Sequence, residues 1–170
     1  MARDLEWFNS ISDDEALKEF LSCCGSKRWA SQMVKWRPFD NVDQLKEHAR
    51  DIWWKLEAAD WLEAFRSHPK IGERQAEANA SQKAQYWSGQ EQSGVHDAAR
   101  ETLDSIADLN QEYEAKFGYI FIVCATGKSS EEMLAILRQR LKNGPDDELR
   151  IAANEQAKIT ELRLRKMLSL

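Results

Sequence analysis

Turn-forming residues are scarce in this chain, with 7 glycines and 3 prolines among 170 residues, and between them apolar side chains recur every three or four positions. That spacing lines one face of an α-helix, whereas a strand needs a period of two. The expected fold is therefore all-α: a helical bundle forming a single domain over residues 1–170, long enough to bury a contiguous core without disulfide or metal staples. Ser12 with Glu15 makes a capping-box pattern that opens a helix stopped near Gly25, and Ser26 caps a second helix that ends before Pro38. From Asn41 the positions Val42, Leu45, Ala49, Ile52, Trp53 and Leu56 form one apolar face, and Trp61, Leu62 and Phe65 continue helical spacing. Residues 72–94 read as short helices and loops. A helix of some six turns is expected from about Val95 to Phe117, with Gly118 as its stop. Ser129 with Glu132 opens another that stops at Asn143, Gly144 and Pro145, and the last helix starts near Asp146.

One stretch breaks the pattern. Tyr119, Ile120, Phe121, Ile122, Val123 and Cys124 have strand-like composition between Gly118 and Gly127, yet the chain offers no second strand to pair with them. We expect a short extended or irregular buried segment near 119–124, whose amides must find partners other than a ladder.

Hydrophobic residues at 42% and charged residues at 31% match an ordinary soluble globular protein. A net charge of −5 supplies no basic field for a phosphate backbone, so nucleic acid is excluded as an expected partner. No run approaches the roughly 18 apolar residues of a membrane span, so no membrane association is expected. The N-terminus lacks a cleavable apolar segment, which makes a cytoplasmic location the expectation. A peroxisomal one would apply only in a eukaryote, because Leu168, Ser169 and Leu170 lack the lysine of that address. Cys23, Cys24 and Cys124 form no disulfide framework and no spaced metal site, and read as reduced thiols, mostly buried.

Three features could carry chemistry. His68 can titrate near neutral pH, and Pro69 disfavours helix at the residue before it, so the ring is expected just past a helix end, open to a cleft. Equally, it could cap the carbonyls of the helix ending at Phe65 or Arg66. His48 and His96 read as solvated, and the three histidines share no metal-ligand spacing. The run Ser88, Gly89, Gln90, Glu91, Gln92, Ser93 and Gly94 is either a polar turn aimed at a ligand or a solvated capping loop. Arg140 could bind an anion or merely complement the dipole at a helix C-terminus.

Taken in order, Phe65-Arg-Ser-His-Pro-Lys-Ile-Gly72, Ser88-Gly-Gln-Glu-Gln92, Phe117-Gly-Tyr-Ile-Phe-Ile-Val123, Arg140-Leu-Lys-Asn143 and Lys158-Ile-Thr-Glu-Leu-Arg163 resemble the signature segments of the OHCU decarboxylase family. OHCU is 2-oxo-4-hydroxy-4-carboxy-5-ureidoimidazoline. The resemblance implies an all-helical, cofactor-independent and metal-free carboxy-lyase of urate degradation that yields (S)-allantoin and assembles as a homodimer. It carries over His68 and Glu91 as catalytic residues. As substrate contacts it carries over Pro69, Ser88, Gly89, Gln90, Gln92, Arg140 and the main chain of Tyr119, Ile120, Phe121, Ile122 and Val123. The implied partner is a small ureidoimidazoline. The rival reading is a noncatalytic helical interaction domain using the tryptophan-rich first third as its face; it requires an exposed aromatic patch and no polar surroundings for His68.

Overall fold

A computed structural model describes residues 3–71, 82–92 and 100–170. Among them every regular element is an α-helix: α1 Leu5–Ser10, α2 Asp13–Cys23, α3 Lys27–Lys35, α4 Val42–Lys55, α5 Ala58–Arg66, α6 Gln82–Glu91, α7 Arg100–Phe117, α8 Ser130–Arg140 and α9 Pro145–Met167. The caps at Ser12, Ser26 and Ser129 lie where the sequence puts them, and Asn41 adds one that it does not name. Ser12 and Glu15 exchange both capping-box bonds, as do Ser129 and Glu132, while Ser26 and Asn41 accept from Trp29 and Gln44. These contacts satisfy N-terminal amides that a helix cannot pair internally. The short α1 has no counterpart in the sequence expectations; Asp4 caps it and Phe8 is its buried residue. The expected start of α7 near Val95 lies outside the described residues.

By contacts the chain divides into two compact units, residues 1–64 with 157–170, and residues 65–156. In the first, Phe20 lies edge-on to Phe8, Trp29 and Phe39, with centroids 4.9, 5.6 and 6.3 Å away. Buried indoles need a partner for N–H, and they have one: Trp29 donates to the Ala49 carbonyl at 3.0 Å and Trp61 to that of Trp53 at 2.9 Å. Cys23 and Cys24 are buried free thiols in this unit. His48, expected in solvent, is half-buried and stacks on Trp36 at 4.2 Å, because its neighbour on the sheltered side is an aromatic ring rather than water.

The second unit is built around the extended segment. Ile106, Tyr113, Phe121, Val123, Met133 and Leu137 form its core, contributed by α7, the segment and α8. Gly118, at φ +81°, ends α7 in the left-handed conformation that glycine takes without a steric cost, and its N–H closes on the Glu114 carbonyl at 2.8 Å. Residues 120–125 then run without strand pairing, as the lone strand-like run predicts.

Candidate active site

His68 follows the end of α5, where Pro69 forbids another helical turn. Its main-chain N–H caps the Phe65 carbonyl at 3.1 Å, so the capping role belongs to the backbone and leaves the ring for other work. That ring is not open to a cleft as expected. It is 9% exposed, and its Nε2 lies 2.6 Å from Oε1 of Gln156, a fully buried residue of α9. The correction has a simple cause: a buried amide oxygen offers the ring an acceptor inside the unit. Pro69 is buried beside it.

Helix α6 corrects a second expectation, because Ser88 to Glu91 form its last turn rather than a loop. Ala84, Trp87, Ser88 and Glu91 are its buried residues and recur at helical spacing, so half of the inward stripe is polar. A buried carboxylate and hydroxyl on such a stripe are costly unless they meet polar partners. Gly89 and Gln90 are exposed, and Gln90 donates its amide to Tyr86 Oη at 2.9 Å. Gln92, half-buried, donates its N–H to the Ser88 carbonyl at 3.1 Å. Gly72, Ser93, Gly94 and His96 lie outside the described residues.

The extended segment is held by side chains in place of a second strand. Glu155 of α9 accepts the Cys124 N–H at 2.7 Å, Lys128 Nζ donates to the Cys124 carbonyl at 2.6 Å, and Arg140 Nη1 donates to the Ile122 carbonyl. Tyr119 packs on Phe65 with centroids 5.4 Å apart, and Phe121 meets Tyr113 at 5.5 Å. No protein partner among the described residues takes the N–H of Ile120, Phe121, Ile122 or Val123, although Phe121, Ile122 and Val123 are all buried. Buried N–H groups without an acceptor are rare in folded proteins, which makes this segment a candidate for ligand contact. Burial pushes the Cys124 thiol up from its ordinary range; Lys128 counters this, while the carboxylates of Glu155 and Glu91 add to it. Glu91 is thereby felt at the end of the segment. Consecutive residues of α9, Glu155 and Gln156, hold the segment and His68 respectively.

Arg140 is engaged on every guanidinium nitrogen. Nε and Nη2 meet Glu148 Oε1 at 2.6 and 2.5 Å, Nη2 also meets Tyr113 Oη at 3.3 Å, and Nη1 takes the Ile122 carbonyl. Tyr113 donates to Glu148 Oε1 at 2.5 Å and Asn143 donates to Oε2 at 2.9 Å. The resemblance implies Arg140 as a substrate contact; in the structure each of its guanidinium nitrogens has a protein partner. Its face also lies 4.7 Å from the Phe121 ring centroid, so it braces both the backbone and a side chain of the segment. Gln156, Glu155 and Glu148 are the residues that sequence reasoning missed. Among the described residues no cluster of three His, Cys, Asp or Glu side chains is arranged to hold a metal ion.

His68, Glu91 and the extended segment 120–123, whose N–H groups take no protein acceptor among the described residues, thus belong to one compact unit. The OHCU decarboxylase family model matches residues 9–165. The chain belongs to that family. The uric acid degradation bifunctional protein TTL of Arabidopsis thaliana is 40% identical over 152 residues, covering 89% of this chain. The chain spans 47% of that relative's length. The 2-oxo-4-hydroxy-4-carboxy-5-ureidoimidazoline decarboxylase of Amia calva is 30% identical over 172 residues, covering 97% of this chain and 94% of its own. A crystal structure of OHCU decarboxylase in the presence of (S)-allantoin superposes with a TM-score of 0.78 at 40% identity, over 90% of this chain and 99% of that one. The all-helical architecture is therefore that of the decarboxylase fold.

Proposed function

We propose that the chain decarboxylates 2-oxo-4-hydroxy-4-carboxy-5-ureidoimidazoline to (S)-allantoin in urate degradation, with no cofactor. The observation that carries this reading is the segment 120–123, whose N–H groups take no protein acceptor among the described residues, next to Cys124, which Glu155 holds, while the adjacent Gln156 holds His68. The substrate's ring carbonyl and nitrogen atoms supply the acceptors that these N–H groups lack, in a geometry fixed before binding. Its hydroxyl and carboxylate share one ring carbon, and the neighbouring ureido-bearing carbon is the carbon of a C=N bond.

When the bond to the carboxylate breaks, its electron pair forms a double bond between those two carbons, and the C=N pair moves onto nitrogen, which takes a proton. Carbon dioxide leaves an enol. The enol hydroxyl then gives up its proton as the ureido-bearing carbon gains one, so one proton is consumed overall for each carbon dioxide released. The substrate is its own electron sink, the part that a cofactor plays in other decarboxylases. His68 delivers the proton to carbon, Glu91 orients the hydroxyl and ureido groups, and Ser88 and Gln92 complete the polar wall. Arg140 acts at one remove, holding the Ile122 carbonyl so that the segment keeps its amides aligned. The reading includes a homodimer, which light scattering at micromolar concentration tests. The interaction-domain alternative requires apolar surroundings for His68, and the Gln156 contact argues against it.

The direct test is substrate freshly generated from urate, with its ultraviolet decay followed on adding the protein. The expected result is rapid decay with wild type and loss of the acceleration in His68→Asn. Equal decay with both proteins would remove His68 from the reaction.

A further inference from the structure

Resting on that reading, we propose that Gln156 is the positioning residue that decides which nitrogen of His68 does the chemistry. Its amide oxygen faces Nε2 at 2.6 Å, in a position with no exposure to solvent. An amide oxygen only accepts, so Nε2 carries a proton whether the ring is neutral or charged, and the exchangeable proton is the one on Nδ1. As the imidazolium gives its Nδ1 proton to the substrate carbon, the ring becomes the neutral Nε2–H form. The Nε2–H···Oε1 bond is kept throughout, so no reorganisation is needed at the moment of transfer.

An amide serves here where a carboxylate would not. A buried carboxylate against Nε2 would hold the ring charged and make it a poor acid near neutral pH. The chain has a carboxylate one residue earlier, and it points elsewhere, with Glu155 accepting the Cys124 N–H at 2.7 Å. Two adjacent side chains of α9 therefore set the ring of His68 and the end of the amide row from one rigid element, the support a precise site requires. The backbone of His68 is already fixed by its bond to the Phe65 carbonyl and by Pro69, and the Gln156 contact restrains rotation of the ring.

The test uses the full chain labelled with 15N-histidine, the His68 signals being assigned by their loss in His68→Asn. In wild type, the neutral ring of His68 is expected to show a protonated Nε2 and a bare Nδ1; the opposite tautomer overturns the proposal whatever the activity. Gln156→Leu, close in size but without an acceptor, should lose that signature. Its kcat should fall by roughly 10–100-fold, the usual loss when an outer partner of a functional side chain is removed, with KM nearly unchanged. Gln156→Glu should move the alkaline limb of the kcat profile to higher pH, by about one unit or more. Wild-type kcat and an unshifted profile in these variants would overturn the assignment of Gln156. If His68→Asn itself keeps full turnover, the underlying catalytic reading fails instead, and the two failures are told apart. Should Gln156→Leu not fold, the wild-type tautomer and the Gln156→Glu profile decide the matter.

Discussion

Arg140 meets Glu148 through two nitrogens on a single oxygen, Nε at 2.6 Å and Nη2 at 2.5 Å, with both side chains buried. Neither residue is an independent contributor, because removing either leaves the other's charge in the interior without compensation. Arg140→Ala is therefore expected to lower stability by about 3–5 kcal/mol, read from denaturant unfolding, whereas Arg140→Met with Glu148→Leu should recover much of that loss. A small loss in the single variant would mean that solvent reaches the pair. The double variant should still show weakened substrate binding, since nothing then holds the Ile122 carbonyl.

Alkali should unfold the protein earlier than its charge alone predicts. Burial pushes the Cys24 thiol up to about 11 and the Tyr119 phenol up to about 12, and it pushes the Tyr113 phenol up further still, against the pull of Arg140. Each group stays neutral in the fold but ionises at its ordinary value in the unfolded chain. The stability it contributes is complete below that value and is lost as pH rises through the folded one. Unfolding curves collected upward from pH 8 should show falling midpoints from about pH 9 onward, where free thiols begin to ionise. Tyr113→Phe should flatten the part above pH 10. An unchanged slope in that variant would assign the alkaline loss to other groups.

Local signals in the sequence were enough to place most helices. The hydroxyl caps at Ser12, Ser26 and Ser129 act over three residues, and each makes the bond its spacing predicts. The lone strand-like run also read correctly, because a strand without a partner has few options but irregular buried backbone. Less legible were helices whose buried face is polar. The inward stripe of α6 carries Ser88 and Glu91, and that of α9 carries Glu148, Gln156, Thr160 and Arg163, so hydrophobic periodicity fades where the chemistry lies. Gln156 and Glu148 resemble surface residues of a long charged helix until the partners of His68 and Arg140 are seen. Those partners are 88 and 8 residues away in the chain.

Glu91 is expected to act on rate more than on folding, since it ends α6 and its buried side chain lies outside the Arg140–Glu148 network. Glu91→Gln keeps the shape and removes the charge. Turnover should fall by about 100-fold or more, in the range expected of a positioned acid or base, with a thermal midpoint close to wild type. A large drop in the midpoint would make Glu91 a structural residue.

Chelation should leave turnover intact, since the proposed chemistry places the electron sink in the substrate. Dialysis against excess chelator, followed by the decay assay in chelator-treated buffer, is expected to give the untreated rate. Activity that disappears and returns with one added divalent cation would refute the cofactor-free mechanism.

The stereochemistry of the product tests the central claim most directly. An enol released to solvent takes its proton on either face, whereas one held between His68 and the amides of 120–123 has a single face open to the ring. Circular dichroism of the allantoin formed from freshly generated substrate, recorded faster than allantoin racemises, should show the S enantiomer alone at the enzymatic rate of decarboxylation. Racemic allantoin appearing at that same rate would place protonation after release and contradict the account.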